Sequence, residues 1–461
     1  MISSIKNINT LVLFLYKISK YQILTHPENI NFSKSIKFLG SIVCLVMYPL
    51  NFFIKPKQSF GERLTGLFKD LGPIYIKFGQ TISTRPDLFG KEIAKHLRSL
   101  QDKLPSFDIS IVKIKIEKDF RMQISQIFSD FEETPIAAAS IAQVHRATLI
   151  SGERVAVKIL RPNITKQYNN DITFLTFVAK YATQFIKSLK RLKLCDVINA
   201  FRESMNCELN FMMEAAAASR FADNCLDDDD IYVPQIYWNL TSNDIITLEW
   251  IDGVSIYDKK NLIDYGLNPE SIASKIAVIF FNQAYRDGFF HADLHPGNII
   301  IKPNGQVALI DFGIIGLLSE DDRLAIAELL YAFLKRDYKL VASIHYKVGY
   351  IPKSTNLELF AQKCRAIAEP IINKKVKNIS VGNLLAQLFK ITKEFGMETQ
   401  PQLLLLQKTM VVVEGIGQSL DSEINMWRLA EPWIKKWAIK NLSPEAKLMR
   451  TAKKYINNFL D

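Results

Sequence analysis

A chain of 461 residues that is 48% hydrophobic and 23% charged can bury a large core and divides on length into two or three domains, which excludes a disordered polypeptide. Its formal charge of +11 suits a surface held near phosphates, whether of nucleotides, nucleic acid or anionic lipid. The cysteines Cys44, Cys195, Cys207, Cys225 and Cys364 form no C-x-x-C pair and no metal-cage spacing, and read as reduced thiols of a cytosolic protein.

Residues 1–60 form a basic, apolar-rich leader. "TLVLFLY" is followed by Lys17 and Lys20 where a small-residue cleavage site belongs, so it is not a signal peptide. "FLGSIVCLVMYPLNFFI", 38–54, is uncharged and flanked by Lys34, Lys37, Lys55 and Lys57, but at about 17 residues, broken by Pro49 and Asn51, it sits at the bottom of the spanning range. A membrane span, an interfacial anchor and a packed helix all remain open. Residues 61–130 are predicted to be a helical extension, with Leu64, Leu67, Phe68 and Leu71 at a period near 3.6 and the stretch "KFGQ" at 77–80.

From 131 to 253 the pattern changes to a small β-rich lobe with inserted helices. "QVHRATLISGERVAVKIL" alternates on both sides of a Ser-Gly turn and predicts a hairpin from Gln143 to Leu160, with Val155, Val157 and Ile159 on one face and Lys158 on the other. Helical sequence runs from about 165 to 225 and ends in "LDDDD", a solvated loop. "DIITLEWIDGVSI" supplies a strand and a link at 249–253. Residues 254–430 form a larger helical lobe, interrupted by the segment 289–313, with "LLLLQKTMVVVEG" at 403–415 as core. The tail, 431–461, is basic and amphipathic: Trp433 and Trp437 on one side and Lys435, Lys436, Lys440 and Lys447 on the other suit either an anionic membrane or a solvated helix on the lobe surface.

The chemistry concentrates in "FFHADLHPGNIIIKPNGQVALIDFG", 289–313. Taken alone, His291, Asp293 and His295 at alternate positions suit zinc, but no further motif offers a third strong ligand. A phosphotransfer reading covers more. Protein kinases place H-x-D-x-x-x-x-N before D-F-G, and here Asp293 is followed by Asn298 and then by Asp311-Phe312-Gly313. Asp293 takes the place of the residue that orients the acceptor, and Asn298 and Asp311 those of the metal ligands. Lys158 in "VAVKIL" matches the strand lysine of the α- and β-phosphates. Its partner is a glutamate downstream. Glu208 and Glu214 are six residues apart and diverge by about 120° on one helix, so only one faces Lys158; Glu214, with its run of alanines, is the choice, and Glu208 is left for another basic partner. Adenine is expected near Leu248 to Ile251, against Glu249, Trp250 and Ile251.

Where a kinase has a glycine-rich loop, this chain has "AAASIAQVH". Ala137, Ala138, Ala139, Ser140, Ile141 and Ala142 then form a phosphate loop without the φ > 0 freedom of glycine, stiffer and with narrowly aimed donors. The bland reading is a helix start capped by Ser140. Together, "KFGQ", "AAASIAQVH", "VAVK", the Glu-bearing helix, "HADLHPGN" and "DFG" resemble the UbiB family of atypical kinase-like proteins. The family's E-x-D stands here as Glu208-Leu209-Asn210, with a neutral Asn in the last place, and the hydrophobic anchoring pair found at the end of bacterial members is replaced by the amphipathic tail.

The resemblance implies an α+β, protein-kinase-like bilobal fold with a helical N-terminal extension, binding ATP with Mg2+. It also implies a role in ubiquinone biosynthesis at the cytoplasmic face of the inner membrane, peripheral or singly anchored. The expected partners are a membrane lipid or quinone precursor and other proteins of ubiquinone biosynthesis, with no nucleic acid. Lys77 and Gln80, one helical turn apart, are expected to reach one target at the mouth of the active site, Lys77 pairing with Glu208 as a regulatory guard that keeps peptide acceptors from Asp293. A small-molecule phosphotransferase of the aminoglycoside or choline type is the enzymatic alternative, and a nucleotide-gated scaffold with little turnover the non-enzymatic one.

Overall fold

The structure, a computed structural model, describes residues 2–25, 34–49, 58–83, 89–100, 105–185, 194–372, 401–421 and 426–443, with isolated positions between 387 and 396 and at 445. The chain forms two compact units. One comprises Met1–Met213 with Ile236–Trp250, the other Glu214–Gln235 with Ile251–Asp461.

The first unit is built on a five-stranded antiparallel sheet in the order Phe128–Phe131, Ala142–Leu149, Arg154–Leu160, Ile245–Glu249, with Ala137–Ala138 also paired to Ala142–Leu149. The predicted hairpin is present, and Gly152 takes φ 98° in its turn, a conformation that favours glycine. Strand alternation puts Val155, Val157 and Ile159 into one buried cluster with Val112 and Ile116 of the Ile109–Phe120 helix, whose first turn is capped by Asp108. Lys158 is left on the opposite face.

Ahead of the sheet come the helices Ile2–Lys20, Lys34–Met47, Phe60–Leu71, Pro73–Ser83 and Lys91–Leu97. Phe60–Leu71 begins with a capping box in which Ser59 and Glu62 satisfy each other's backbone donors. The leader is not a separate body: Lys20 Nζ lies 2.7 Å from Asp70 Oδ2, and Lys17 Nζ donates to the Asp70 carbonyl at 2.5 Å. No described helix is long and apolar enough to cross a membrane. Within 38–54 the helix stops at Met47, and 50–54 lies outside the described residues.

Two expectations fail here for local reasons. Glu208 and Glu214 do not share a helix, because Leu194–Glu208 ends and Phe211–Asn224 begins anew. Asn210 makes the break: its Oδ1 accepts from the N–H groups of Met212 at 3.1 Å and Met213 at 3.4 Å, as an N-cap does. The alanine-rich segment is not a helix start capped by Ser140; it is a tight strand connection, closed by Ala139 N–H donating to the Ala142 carbonyl at 2.8 Å.

In the second unit, Ile231–Tyr232, Val307–Leu309, Ile299–Ile301 and Val254–Ser255 form one sheet, the first two strands parallel, and Phe289–His291 pairs antiparallel with Ile315–Leu317. The parallel pair explains why 214–235 departs from the boundary expected at 253. "LDDDD" is likewise no free loop. Arg286 holds both carboxylate oxygens of Asp228 at 2.8 Å, and Lys275 holds Asp230 at 2.7 Å. The helices Pro269–Phe281, Glu320–Leu334, Tyr338–Lys347, Leu357–Ile372, Pro401–Leu420 and Met426–Leu442 complete the unit.

The last helix corrects the membrane reading of the tail over its described part. Trp433 Nε1 donates to Asn282 Oδ1 at 2.8 Å, its ring lies 5.8 Å from Phe281 and 5.7 Å from Tyr285, and Ile434 and Trp437 are buried. The apolar side therefore faces the protein's own helices; Lys447 lies outside the described residues.

Candidate nucleotide site

Within the second unit, the strand pairs set two loops edge to edge. Ala292 N–H donates to the Ile314 carbonyl at 3.0 Å, and Ile310 N–H to the Asn298 carbonyl at 3.1 Å, so loop 292–298 runs beside loop 310–314. His291 joins them. Its Nε2 donates to the Asp311 carbonyl, while Nδ1 accepts from Asp293 N–H at 3.1 Å. Burial lowers the imidazole below the usual histidine range against the pull of Asp311 and Asp293, which keeps it the neutral, singly protonated connector that these two bonds require. With both ring nitrogens engaged, and His295 Nδ1 accepting from Gly297 N–H at 3.1 Å, the zinc reading is removed.

Asp293, Asn298 and Asp311 come together through this backbone frame. Asn298 Nδ2 donates to the Asp293 carbonyl at 3.0 Å, leaving Oδ1 as the atom able to meet a cation. Asp311 Oδ1 accepts from Gly313 N–H at 3.0 Å, which orients the carboxylate. Phe312 is buried, its ring 5.7 Å from His291 and 5.4 Å from Phe221 of the Phe211–Asn224 helix. That helix carries Glu214, buried, in its first turn. An amide oxygen and a carboxylate on adjoining loops are hard-oxygen groups of the kind Mg2+ takes when phosphates and water complete its shell.

The first unit holds the other candidates. Lys158, in register with Val144 and Ile246, places its ammonium 5.2 Å from the centre of the Phe211 ring. On the neighbouring strand Glu249 pairs with Val155, and Trp250 lies under the Arg146 guanidinium at 4.9 Å. Ile251, buried, belongs to the second unit. None of Ala137 to Ala142 takes a positive φ, so this loop needs no glycine. Arg161, which the sequence reading missed, braces it: Nε and Nη2 donate to the Ala139 carbonyl at 3.0 and 2.8 Å, and Nη2 also to the Pro105 carbonyl at 2.8 Å. The motif's last polar residues are structural. Gln143 Oε1 accepts from Phe107 N–H at 2.9 Å, its Nε2 lies 2.8 Å from His145 Nε2, and His145 Nδ1 lies 2.8 Å from the Glu132 carbonyl.

Each residue of "KFGQ" on the Pro73–Ser83 helix has a separate part. Lys77 Nζ lies 3.2 Å from Glu208 Oε2, with both side chains largely buried. Phe78 packs with its ring 5.2 Å from Phe201 of the Leu194–Glu208 helix. Gly79 permits close approach, because a Cβ there would lie 2.4 Å from Leu100 Cδ1 and 2.5 Å from Phe68 Cδ2. Gln80 Nε2 donates to the Leu100 carbonyl at 3.1 Å. A second missed residue is Lys408, whose Nζ lies 3.1 Å from Asp293 Oδ1. Its signal was a lysine inside the apolar run at 403–413.

The sequence matches the ABC1 atypical kinase-like domain over residues 99–345 and the UbiB helical domain over 364–425. Similar curated proteins include the probable protein kinase UbiB of Marinobacter nauticus, 37% identical over 423 residues, covering 91% of this chain and 77% of that protein. Its counterpart in Pseudomonas aeruginosa is 40% identical over 395 residues, covering 85% and 74%. Among solved structures, the complex of Rv3197 with erythromycin from Mycobacterium tuberculosis matches with a TM-score of 0.50 at 23% identity, covering 77% of this chain and 90% of that one, a likeness of fold alone. The α+β, kinase-like character expected from the motifs stands with these matches, and the chain belongs to the UbiB family of atypical kinase-like proteins.

Proposed function

We propose that the protein binds ATP with Mg2+ and passes the terminal phosphoryl group to water or to a small or lipid-borne acceptor, in support of ubiquinone biosynthesis at a membrane surface. The observation that carries this reading is the frame that ties Asp293, Asn298 and Asp311 to adjoining loops through His291. Bound Mg2+ neutralises phosphate charge and orients the terminal group. Asn298 Oδ1 and the Asp311 carboxylate would hold it, Asp293 would orient the acceptor, and Lys158 and Glu214 would serve the α- and β-phosphates. The restriction to small or lipid-borne acceptors is the guard role that the family resemblance gives Lys77, whose pairing with Glu208 is present within the first unit.

The membrane surface is supported by the leader. Val12, Leu13 and Tyr16 on one helix and Phe38, Ile42, Leu45 and Val46 on the next are exposed. Residues 1–60 carry Lys6, Lys17, Lys20, Lys34, Lys37, Lys55 and Lys57 against Glu28 alone, a balance suited to peripheral contact with anionic lipid.

Replacing Asp311 tests the nucleotide reading. Asp311→Asn removes the carboxylate that would hold the metal against the phosphates, so Mg-ATP is expected to raise the melting temperature of the wild type and leave that of the variant nearly unmoved. Equal stabilisation of both proteins rules the reading out.

A further inference from the structure

Phosphoryl transfer needs positive charge aimed at the oxygens of the group in flight, from metal, lysine or arginine. Between Gly288 and Ile301 the catalytic segment has neither lysine nor arginine. The cation beside Asp293 arrives from far along the chain, on the Pro401–Leu420 helix, where Lys408 Nζ stands 3.1 Å from Asp293 Oδ1.

Two features make this more than an ordinary surface pair. Leu403, Leu406, Met410 and Val413 of the same helix are buried, so Lys408 stands on a rigidly seated element and not on a free arm. The pair is also open, with side-chain exposures of 36% and 40%. Such a pair adds little stability and gives way readily to a more highly charged partner.

We infer that Lys408 is a catalytic residue that binds the terminal phosphoryl group of the nucleotide and rests on Asp293 until that group arrives. The inference rests on the nucleotide reading above. When the nucleotide enters, the ammonium turns from carboxylate to phosphate, and Asp293 becomes available to the acceptor. The acceptor oxygen forms the new P–O bond, and the bond to the bridging oxygen of ADP breaks with its electron pair remaining on ADP. The acceptor proton passes to Asp293 and then to solvent. Lys408 keeps its protons throughout and supplies charge, so its contact is made with ATP and lost with ADP. The UbiB helical domain thereby contributes a residue to the kinase-like domain.

The test compares Mg-ATP and Mg-ADP affinities by calorimetry in the wild type, Lys408→Met, Lys408→Arg and Asp293→Asn. Losing one charge-assisted contact is expected to weaken ATP about tenfold in Lys408→Met and to leave ADP within about twofold. Lys408→Arg should keep most of the preference, and Asp293→Asn, which frees the ammonium, should strengthen ATP relative to ADP. Lys408→Met losing both nucleotides equally, or neither, overturns the inference. Should that variant not fold, an unchanged ATP:ADP ratio in Asp293→Asn overturns it as well. A wild type that binds neither nucleotide overturns the underlying reading, whereas binding of both with unmoved ratios overturns the role of Lys408 alone.

Discussion

Lys77 and Lys408 both lie outside the kinase-like match at 99–345, and each grips an acidic residue inside it, yet the two pairs are built differently. Lys77 and Glu208 keep 18% and 10% of their side-chain surface, against 36% and 40% for Lys408 and Asp293. A largely buried pair is costly to open, because each partner is left desolvated without its counter-charge. An exposed pair opens cheaply. The same chemistry therefore makes a fixture at one place and an exchangeable contact at the other, and the difference separates holding the extension in place from handling a substrate.

The sharpest test of that contrast is stability. Glu208→Ala leaves the Lys77 ammonium short of its carboxylate, and the loss should be about 2–3 kcal/mol, between the values for exposed and fully buried pairs. Lys408→Met should change stability by less than about 1 kcal/mol. Denaturant unfolding measures both, and equal losses break the comparison.

Gly79→Ala attacks the fixture by packing, through the clash with Leu100 and Phe68, and is expected to cost about 1–3 kcal/mol. A melting temperature equal to that of the wild type would show that the helix shifts freely.

The outer contact of the KFGQ helix is probed by pH. Asp171, on the Ile164–Phe185 helix, adds its charge to the burial that raises the Tyr75 hydroxyl, has its own carboxyl pushed up to about 6 by burial, and has its Oδ2 buried without a hydrogen-bond partner among the described residues. The folded state then holds the proton more tightly than the unfolded chain, so this contribution is complete below the ordinary carboxylate range and is lost as pH rises through about 6. Asp171→Asn should accordingly stabilise the protein by about 1–2 kcal/mol at pH 8 and by little at pH 4. The same gain at both pH values contradicts a buried acid.

The smallest effect belongs to the Lys408 helix. A Cβ added at Gly415 would meet no neighbouring atom within 4 Å among the described residues, so Gly415→Ala should gain about 0.5–1 kcal/mol from helix propensity alone, the opposite sign to Gly79→Ala. A loss of stability in thermal melts would mean that this helix is more tightly enclosed than its surface indicates.

Much of this was legible in the sequence because the signals were local. Strand alternation put Lys158 opposite Val155, Val157 and Ile159, and the spacing of Asp293, Asn298 and Asp311 marked the paired loops. The pairing of Lys77 with Glu208, taken from the family resemblance, is also present. What escaped depended on partners distant in the chain. Lys408 read as core because its neighbours are apolar, and Asp228 and Asp230 read as solvated because Arg286 and Lys275 are far away in sequence. The break between Glu208 and Glu214 was within reach: Asn210, followed by an acidic residue in the next turn, is an N-cap signal that the helical pattern around it concealed.

In the proposed function, the Lys77–Glu208 pair restricts which acceptors receive the phosphoryl group. Incubating the wild type and Lys77→Ala with labelled ATP tests it most directly. The wild type should label added proteins weakly, and Lys77→Ala should show altered nucleotide affinity and label itself. Strong labelling of added proteins by the wild type, or a variant identical to it in labelling and nucleotide binding, would contradict the account.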